Sequence, residues 1–495
     1  METKALTDMQ RATIRYIALS YCWGPPTKFD YKTTAANHER RLRSFAVEDL
    51  PQTVKDAITV ARALEVDYLW IDSICIVQDV PKDLEAEMEL MLEVYANAYV
   101  TISATGAASA HEGFLDRVQR KGPRLFISRR SHAKEYSDDN FMTIYTQERW
   151  GAPTMHGIWE TAVGRSPWNK RAWTLQEALT SPRVIHFGRE RLLFECATID
   201  CFEGGDISRP KNTETSNYHA TDQVYRSVSF LRRQGALSYT DNGTHPGKIE
   251  QVYKDYYSVV RKYSARDLTF ITDKAAAFSS IVIAMTRITG SLARNGLLLE
   301  DLRRGLLWFG TGEKKRLKQW PSWSWLSHDG IITHFPEAAS SLAEEQAMAH
   351  VLLGEHSPQT TEIADSYQPP CDYSLCLHAF LIQATLTQRR MSPRFDVHFE
   401  NKSVGEASFD DKSDISGSMA VYLLSLGESD SEKYKAKLFS HNSYAFMGLV
   451  LLSCNRSLYR RIGTFQLYDG KSFPEDSKDS RWIFSAAPRS QVTIV

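Results

Sequence analysis

The sequence predicts an α/β unit at its N-terminal end, a parallel sheet flanked by helices, followed by a helical section and a mostly antiparallel β region. Three observations carry this expectation. Short apolar runs alternate with helix-period stripes from Tyr16 to Phe187, the pattern that gives a parallel sheet with helices on both faces. Between 220 and 310 the chain carries helical repeats such as Val252, Tyr256, Val259, Val260 and Tyr263, with a later stripe through Phe278, Ile281 and Ile283. From about Cys371 onward, apolar runs are separated by Ser/Asp/Lys/Gly loops, which favours antiparallel strands.

Taken in order, Tyr16-Ile-Ala-Leu-Ser-Tyr reads as a strand that stops at Gly24-Pro25-Pro26, since proline cannot continue a strand ladder. Leu50-Pro51-Gln52-Thr53 opens a helix in which Val54, Ala57, Ile58, Ala61 and Leu64 recur at three- and four-residue spacing, so one stripe is expected to be buried. Asp67 to Asp72 is nearly continuous apolar sequence ended by an acid, the look of a strand buried on both faces. A second helix carries Leu84, Met88, Met91, Leu92, Tyr95 and Ala98 on one side, and Tyr99-Val-Thr-Ile-Ser103 is the next strand. Lys170 to Leu179 reads as a helix and Arg183 to Phe187 as a strand. The polar stretch at about 106–166 has little periodicity and reads as an insertion. The expected organisation is an α/β domain at 1–205 with that insertion, a helical middle region at 206–335 and a β-rich region at 336–495. Ser374 to Leu386, Ala420 to Leu426 and Tyr444 to Leu452 supply strands of the last part, and the segment around 355–370 reads as a linker.

Composition narrows the function classes. In 495 residues, 59 Lys plus Arg face 60 Asp plus Glu, for a net charge of −1. No whole-molecule field draws in polyanions, so nucleic-acid binding is not expected. The N-terminus has no apolar region of signal-peptide length, and the longest nearly apolar run falls far short of the roughly 20 residues that cross a bilayer. Seven scattered cysteines fit reduced thiols and a cytoplasmic location. There is no G-x-S-x-G elbow, no H-E-x-x-H and no paired C-x-x-C, so serine hydrolysis and metal centres lose their sequence support.

What remains is the polar set at the carboxyl ends of the parallel strands, where open α/β sheets bind ligands. Ser20, Tyr21 and Trp23 end the first strand, Asp72 and Ser73 the second, and Ser103 the third. A helix near Lys170 carries Trp173 and Glu177 one turn apart, so Glu177 is expected to face that rim beside an indole. A carboxylate so desolvated can do electrostatic work on a developing cation. The structural alternatives are a Glu177 paired with Arg171 or Arg183, an Asp72 that caps a helix, and Trp23 and Trp173 as core aromatics.

Tyr16-Ile-Ala-Leu-Ser-Tyr-Cys-Trp-Gly, Leu50-Pro-Gln-Thr-Val-Lys-Asp-Ala-Ile, Tyr68-Leu-Trp-Ile-Asp-Ser-Ile-Cys-Ile-Val-Gln-Asp, Val94-Tyr-Ala-Asn-Ala98 and Arg171-Ala-Trp-Thr-Leu-Gln-Glu together resemble the fungal heterokaryon-incompatibility (HET) domain, in family order over roughly 14–200. Leu84 stands where the family usually has Trp, and Thr180 where it usually has Leu. Tyr263-Ser-Ala-Arg-Asp-Leu-Thr and Pro321-Ser-Trp-Ser-Trp-Leu-Ser-His-Asp-Gly resemble segments that commonly follow HET domains; the second is most simply a packing motif. HET domains are in turn similar to TIR domains, which implies a TIR-like, flavodoxin-like N-terminal fold. By that resemblance Glu177 is the catalytic acid in cleavage of the nicotinamide glycosidic bond of NAD, and Ser20, Tyr21, Trp23, Asp72, Ser73, Ser103 and Trp173 line the dinucleotide site. One carboxylate suffices in principle: hydrolysis of a sugar glycoside needs a second carboxyl to protonate the leaving oxygen, whereas nicotinamide leaves from a cationic pyridinium. NAD is then a substrate and no cofactor is required. The resemblance implies a cell-death effector of fungal self/non-self recognition that self-associates or meets a partner incompatibility protein. A self-associating scaffold without turnover is the competing reading.

Overall fold

The computed structural model describes residues 14–25, 31–117, 125–127, 144–146, 155–196, 199–203, 246–311, 316–334, 349–352, 374–388, 394–411, 418–428, 444–455, 458–468, 483–484, 487 and 489–495. The expected linker at 355–370 and much of the expected insertion lie outside them. The chain divides into two compact units, 1–236 and 237–495.

The first unit is built on a six-stranded mixed sheet. Its strands are β1 (Tyr16–Ser20), β2 (Tyr68–Ile71), β3 (Val100–Ser103), β6 (Arg183–Phe187), β7 (Leu192–Cys196) and β8 (Asp200–Phe202), in the order β2-β1-β3-β6-β7-β8. The first four are parallel, with Ile17 opposite both Leu69 and Val100, and Ile102 opposite Ile185. β7 and β8 extend the sheet antiparallel, a continuation that the sequence reading does not contain. A small hairpin, β4 (Leu125–Ile127) with β5 (Ile144–Thr146), lies within the expected insertion.

Helices cover both faces. α1 (Ala35–Arg41) and α2 (Gln52–Ala63) precede β2, a single turn α3 (Asp72–Cys75) follows it, and α4 (Pro81–Ala96) leads into β3. Strand alternation sorts the core. Ile17, Leu19 and Tyr21 pack with Val54, Ala57, Ile58 and Ala61 of α2, while Ala18 packs with Met91, Tyr95 and Ala98. The predicted stripes of α2 and α4 are thus the inward ones, except that Leu64 caps α2 and is exposed, and Leu84 and Met88 at the start of α4 are only half-buried. The expectation of a β2 buried on both faces is corrected. It is the edge strand, and Tyr68, Leu69 and Trp70 are only half-buried because one side has no neighbouring strand among the described residues.

The helix expected at Lys170–Leu179 is broken in two. Ser166 accepts a hydrogen bond from the Asn169 amide at 3.1 Å and starts α6 (Pro167–Lys170), Arg171 turns extended, and α7 runs Trp173–Thr180. Ahead of them α5 (Met155–Trp159) passes into a π-helical turn, Glu160–Gly164.

Gly24 closes the loop after β1 in a left-handed conformation, φ +81°, and a Cβ there would lie 2.4 Å from the Cβ of Ser109. Gly24→Ala is therefore expected to cost at least about 1–2 kcal/mol from the left-handed backbone alone. Thermal unfolding of the variant checks this, and an unchanged midpoint would show that the loop relaxes freely.

The second unit combines helices α8 (Pro246–Ser264) and α9 (Ala276–Thr289) with two small antiparallel pairs, β9 (Ala293–Arg294) with β10 (Leu297–Leu298) and β11 (Trp308–Thr311) with β12 (Ile331–His334), and a largely antiparallel sheet. That larger sheet runs β13 (Ala349–Leu352), β14 (Leu375–Gln388), β15 (Phe395–Phe399), β16 (Lys402–Phe409), β19 (Leu458–Tyr468), β18 (Tyr444–Ser453), β17 (Met419–Glu428), and β20 (Arg489–Ile494) pairs with β14 and β19. The strands predicted from Ser374, Ala420 and Tyr444 are β14, β17 and β18. The Pro321-Ser-Trp-Ser-Trp segment packs inward, with Trp323 and Trp325 buried. Trp325 Nε1 donates to the Gly296 carbonyl at 2.8 Å, and the Trp323 carbonyl accepts from Trp308 Nε1 at 3.0 Å.

Candidate functional site

Period-two alternation sends Ser20 and Tyr21, adjacent in sequence, to opposite faces of the sheet. Ser20 turns toward α7, where its hydroxyl donates to the Glu177 carboxylate. The same hydroxyl accepts a hydrogen bond from Trp168 Nε1 at 2.7 Å. Glu177 is 6% exposed. Burial is the main reason its pKa rises from 4.5 to about 7; Asp72 adds to the rise, while the Ser20 bond, Arg171 and the Tyr95 hydroxyl oppose it. Arg171 donates to the Tyr21 carbonyl at 2.5 Å, and Arg183 to the Tyr99 carbonyl at 3.1 Å.

The indole beside the acid is not the expected one. Trp173 packs against the Ala18, Met91, Tyr95 and Ala98 cluster, while Trp168, from the preceding turn, reaches the Ser20–Glu177 pair. Trp173 and Glu177 do share one continuous helix, α7, but Trp168 lies on α6, and the extended turn at Arg171 between the two helices lets its indole reach Ser20. Trp168 is the residue that the sequence reading missed; it took Arg171 only as an ion-pair partner of Glu177 and Tyr95 only as part of a buried stripe. The Ser166-Pro-Trp-Asn segment, an N-cap followed by proline at the first helical position, was the available signal.

Tyr21 belongs to a second cluster on the α2 face. Its hydroxyl donates to Ser73 Oγ at 2.7 Å and lies 3.0 Å from the Tyr31 hydroxyl. Burial raises its pKa well above 10, and that of Tyr31 to about 12. Asp72 accepts from Trp23 Nε1 at 2.9 Å and from the Ser73 amide at 2.6 Å, and its burial pushes its pKa upward. The face of Trp23 is covered by the Lys32 ammonium, 4.4 Å from the ring centroid. Ser103 is fully buried, and its hydroxyl has no hydrogen-bond partner among the described residues. The structure thus brings Ser20, Glu177 and Trp168 together, and Tyr21, Trp23, Asp72 and Ser73 together; Ser103 and Trp173 join neither set directly. Beside Trp168 sits a buried His186–Glu195 pair at 3.0 Å, its imidazole centroid 5.6 Å from the indole.

Beyond the carboxyl ends of β3 and β6 lies a cavity of about 570 Å³, walled by Thr105, Gly106, the 157–167 segment and residues 189–191. Glu177 is not on its wall; Ser166 and Pro167 are, directly before the Trp168 that reaches Ser20.

A mixed sheet flanked by helices, with a desolvated carboxylate at its strand tips, defines the first unit as an α/β fold with one candidate site. The family model for heterokaryon incompatibility protein (HET) matches residues 16–177. The chain is 26% identical over 185 residues to heterokaryon incompatibility protein 6, OR allele, of Neurospora crassa, an alignment covering 33% of this chain and 27% of that protein. The chain thus spans about a quarter of the length of the curated relative it matches. No solved structure matches the chain. No described helix is long and apolar enough to cross a membrane.

Proposed function

We propose that this chain is a heterokaryon-incompatibility effector whose HET domain hydrolyses the nicotinamide glycosidic bond of NAD, with Glu177 as the charge-stabilising group. The observation that carries the reading is the Glu177 carboxylate itself: buried at the end of β1, hydrogen-bonded by Ser20 and titrating at about 7. The order β2-β1-β3-β6 among the parallel strands supports a doubly wound, flavodoxin-like and TIR-like description of the sheet, in which ligands lie at the strand tips.

The chemistry asks little of the protein. The C1′–N bond of the ribose breaks with its electron pair passing to the pyridinium nitrogen, so nicotinamide departs neutral. Positive charge appears on the sugar, where an ionised Glu177 in a poorly solvated setting stabilises it. Water then adds to C1′ and its proton passes to the carboxylate or to solvent. Ser20 holds one carboxylate oxygen, and Trp168 holds Ser20, which orients the acid without neutralising it.

Only the ionised acid serves, and its pKa is raised. Turnover is therefore expected to rise with pH through about 7, half the limiting rate falling near that value. The profile is measured as nicotinamide release by the purified full chain. A rate that is flat from pH 5 to pH 9 would detach Glu177 from the chemistry, and a wild type inactive both alone and when forced to oligomerise removes the enzyme.

The location proposed is the cytoplasm, and the partner is a second copy of this chain or an incompatibility protein. The scaffold reading draws on the edge position of β2, which pairs only with β1 among the described strands and presents backbone groups to another strand. It is told apart by a catalytically dead Glu177 variant, which would still kill cells under that reading.

A further inference from the structure

We propose that the cavity at the carboxyl edge of β3 and β6 binds the phosphate groups of a small phosphorylated ligand. Three arginines, Arg165, Arg189 and Arg191, face it against one acid, Glu190, a local excess of positive charge in a chain whose net charge is −1. Guanidinium groups present a planar fork of donors that matches phosphate oxygens in pairs.

The wall is built rather than merely charged. Thr105, which follows β3, lines the cavity and is fully buried, and its hydroxyl has no hydrogen-bond partner among the described residues. A buried hydroxyl left unpaired costs about 1–3 kcal/mol, and a ligand oxygen would satisfy it. Arg189 Nε donates to the Gly106 carbonyl at 3.0 Å, which fixes that guanidinium against the strand end. The approach requires glycine, because a Cβ at Gly106 would lie 2.9 Å from the Arg189 amide nitrogen. Arg191 is steadied by the Phe202 ring, 5.7 Å from its centroid. The opposite wall is the π-helical turn, in which the Arg165 amide donates to the Glu160 carbonyl at 3.0 Å, and such turns are frequent at functional sites. Arg165 also meets Glu160, 3.4 Å away in an exposed pair, an interaction weak enough to yield to a ligand. The volume of about 570 Å³ lies in the range of nucleotide-sized ligands.

This inference stands apart from the chemistry of Glu177, and two sources share the phosphate: inorganic pyrophosphate and the diphosphate of a nucleotide. The test is calorimetric titration of the full chain with sodium pyrophosphate, with ADP-ribose and with adenosine as the unphosphorylated control. Wild type is expected to bind at least one of the two phosphorylated probes and not adenosine. Tighter ADP-ribose assigns a nucleotide, and equal affinity assigns phosphate recognition alone. The double variant Arg189→Gln/Arg191→Gln is expected to weaken binding by about tenfold or more, the loss of a charge-assisted hydrogen bond. Thr105→Val and the exposed Arg165→Gln serve as further variants, each expected to weaken binding, should the double variant fail to fold by circular dichroism. Glu177 is not on the cavity wall, and the pyrophosphate arm carries no ribose or nicotinamide, so failure of the NAD reading leaves this one standing. No heat from either phosphorylated probe at millimolar concentration, equal binding of adenosine, or an affinity unmoved in every folded variant would overturn the proposal.

Discussion

Replacing Glu177 with Gln is expected to lower nicotinamide release by at least about 10²-fold, the scale on which loss of one preorganised electrostatic group acts, while the protein stays folded. Gln preserves shape and still offers Ser20 an acceptor, so the Trp168–Ser20–residue 177 chain of hydrogen bonds persists. What disappears is the negative charge. A second readout separates catalysis from structure. Burial raises the folded-state pKa of Glu177 from 4.5 to about 7, so between those values the folded protein holds a proton that the unfolded chain has released. Wild type therefore loses stability as pH rises through that window. The Gln variant has no such slope, and its melting temperature should gain on wild type at pH 8 relative to pH 5. Full turnover in the Gln variant would sink the enzyme reading, and equal shifts at both pH values would show the acid to be well solvated. Cell killing that survives the substitution would support the scaffold.

The second large effect lies in the other unit. Arg461 on β19 is fully buried. Its guanidinium donates to Asp410 at 2.9 Å and 3.2 Å, to the Leu306 carbonyl at 2.6 Å and to the Trp308 carbonyl, and it stacks 3.6 Å from the Trp308 ring centroid. One side chain thus ties the Leu302–Leu306 helix and the strand Trp308–Thr311 to the β-rich sheet. Arg461→Leu is expected to destabilise this unit by about 3–5 kcal/mol, since it strands a mostly buried carboxylate and two carbonyls. Adding Asp410→Asn should recover part of the loss by removing the uncompensated charge. Urea unfolding followed through the transition of this unit measures both, and a loss below about 1 kcal/mol would mean that water replaces the guanidinium.

Periodicity alone was enough for most elements of the first unit. The alternation around Tyr16, the stripe from Val54 to Ala61 and the runs at Val100 and Arg183 are local patterns, and a pattern of period 2 or 3.6 is written in adjacent residues. β14, β17 and β18 were legible for the same reason. The candidate acid was legible too, because Arg171-Ala-Trp-Thr-Leu-Gln-Glu177 is contiguous. Its surroundings were not. Ser20 and Trp168 are 148 residues apart, and Ser20 and Glu177 157. Their meeting depends on which strands pair and on a helix break at Arg171 that no period announces.

Local sequence therefore settled the kinds of element, their order and the residue that carries charge at the strand tips. Long-range packing settled which indole holds that residue in position, that β2 forms an edge, that β7 and β8 extend the sheet, and that an arginine on β19 closes over Trp308. The division has one physical source. A helix or strand is specified by contacts a few residues apart, whereas a burial environment is the sum of chain segments that only folding brings together, and the charge state of Glu177 is set by that environment.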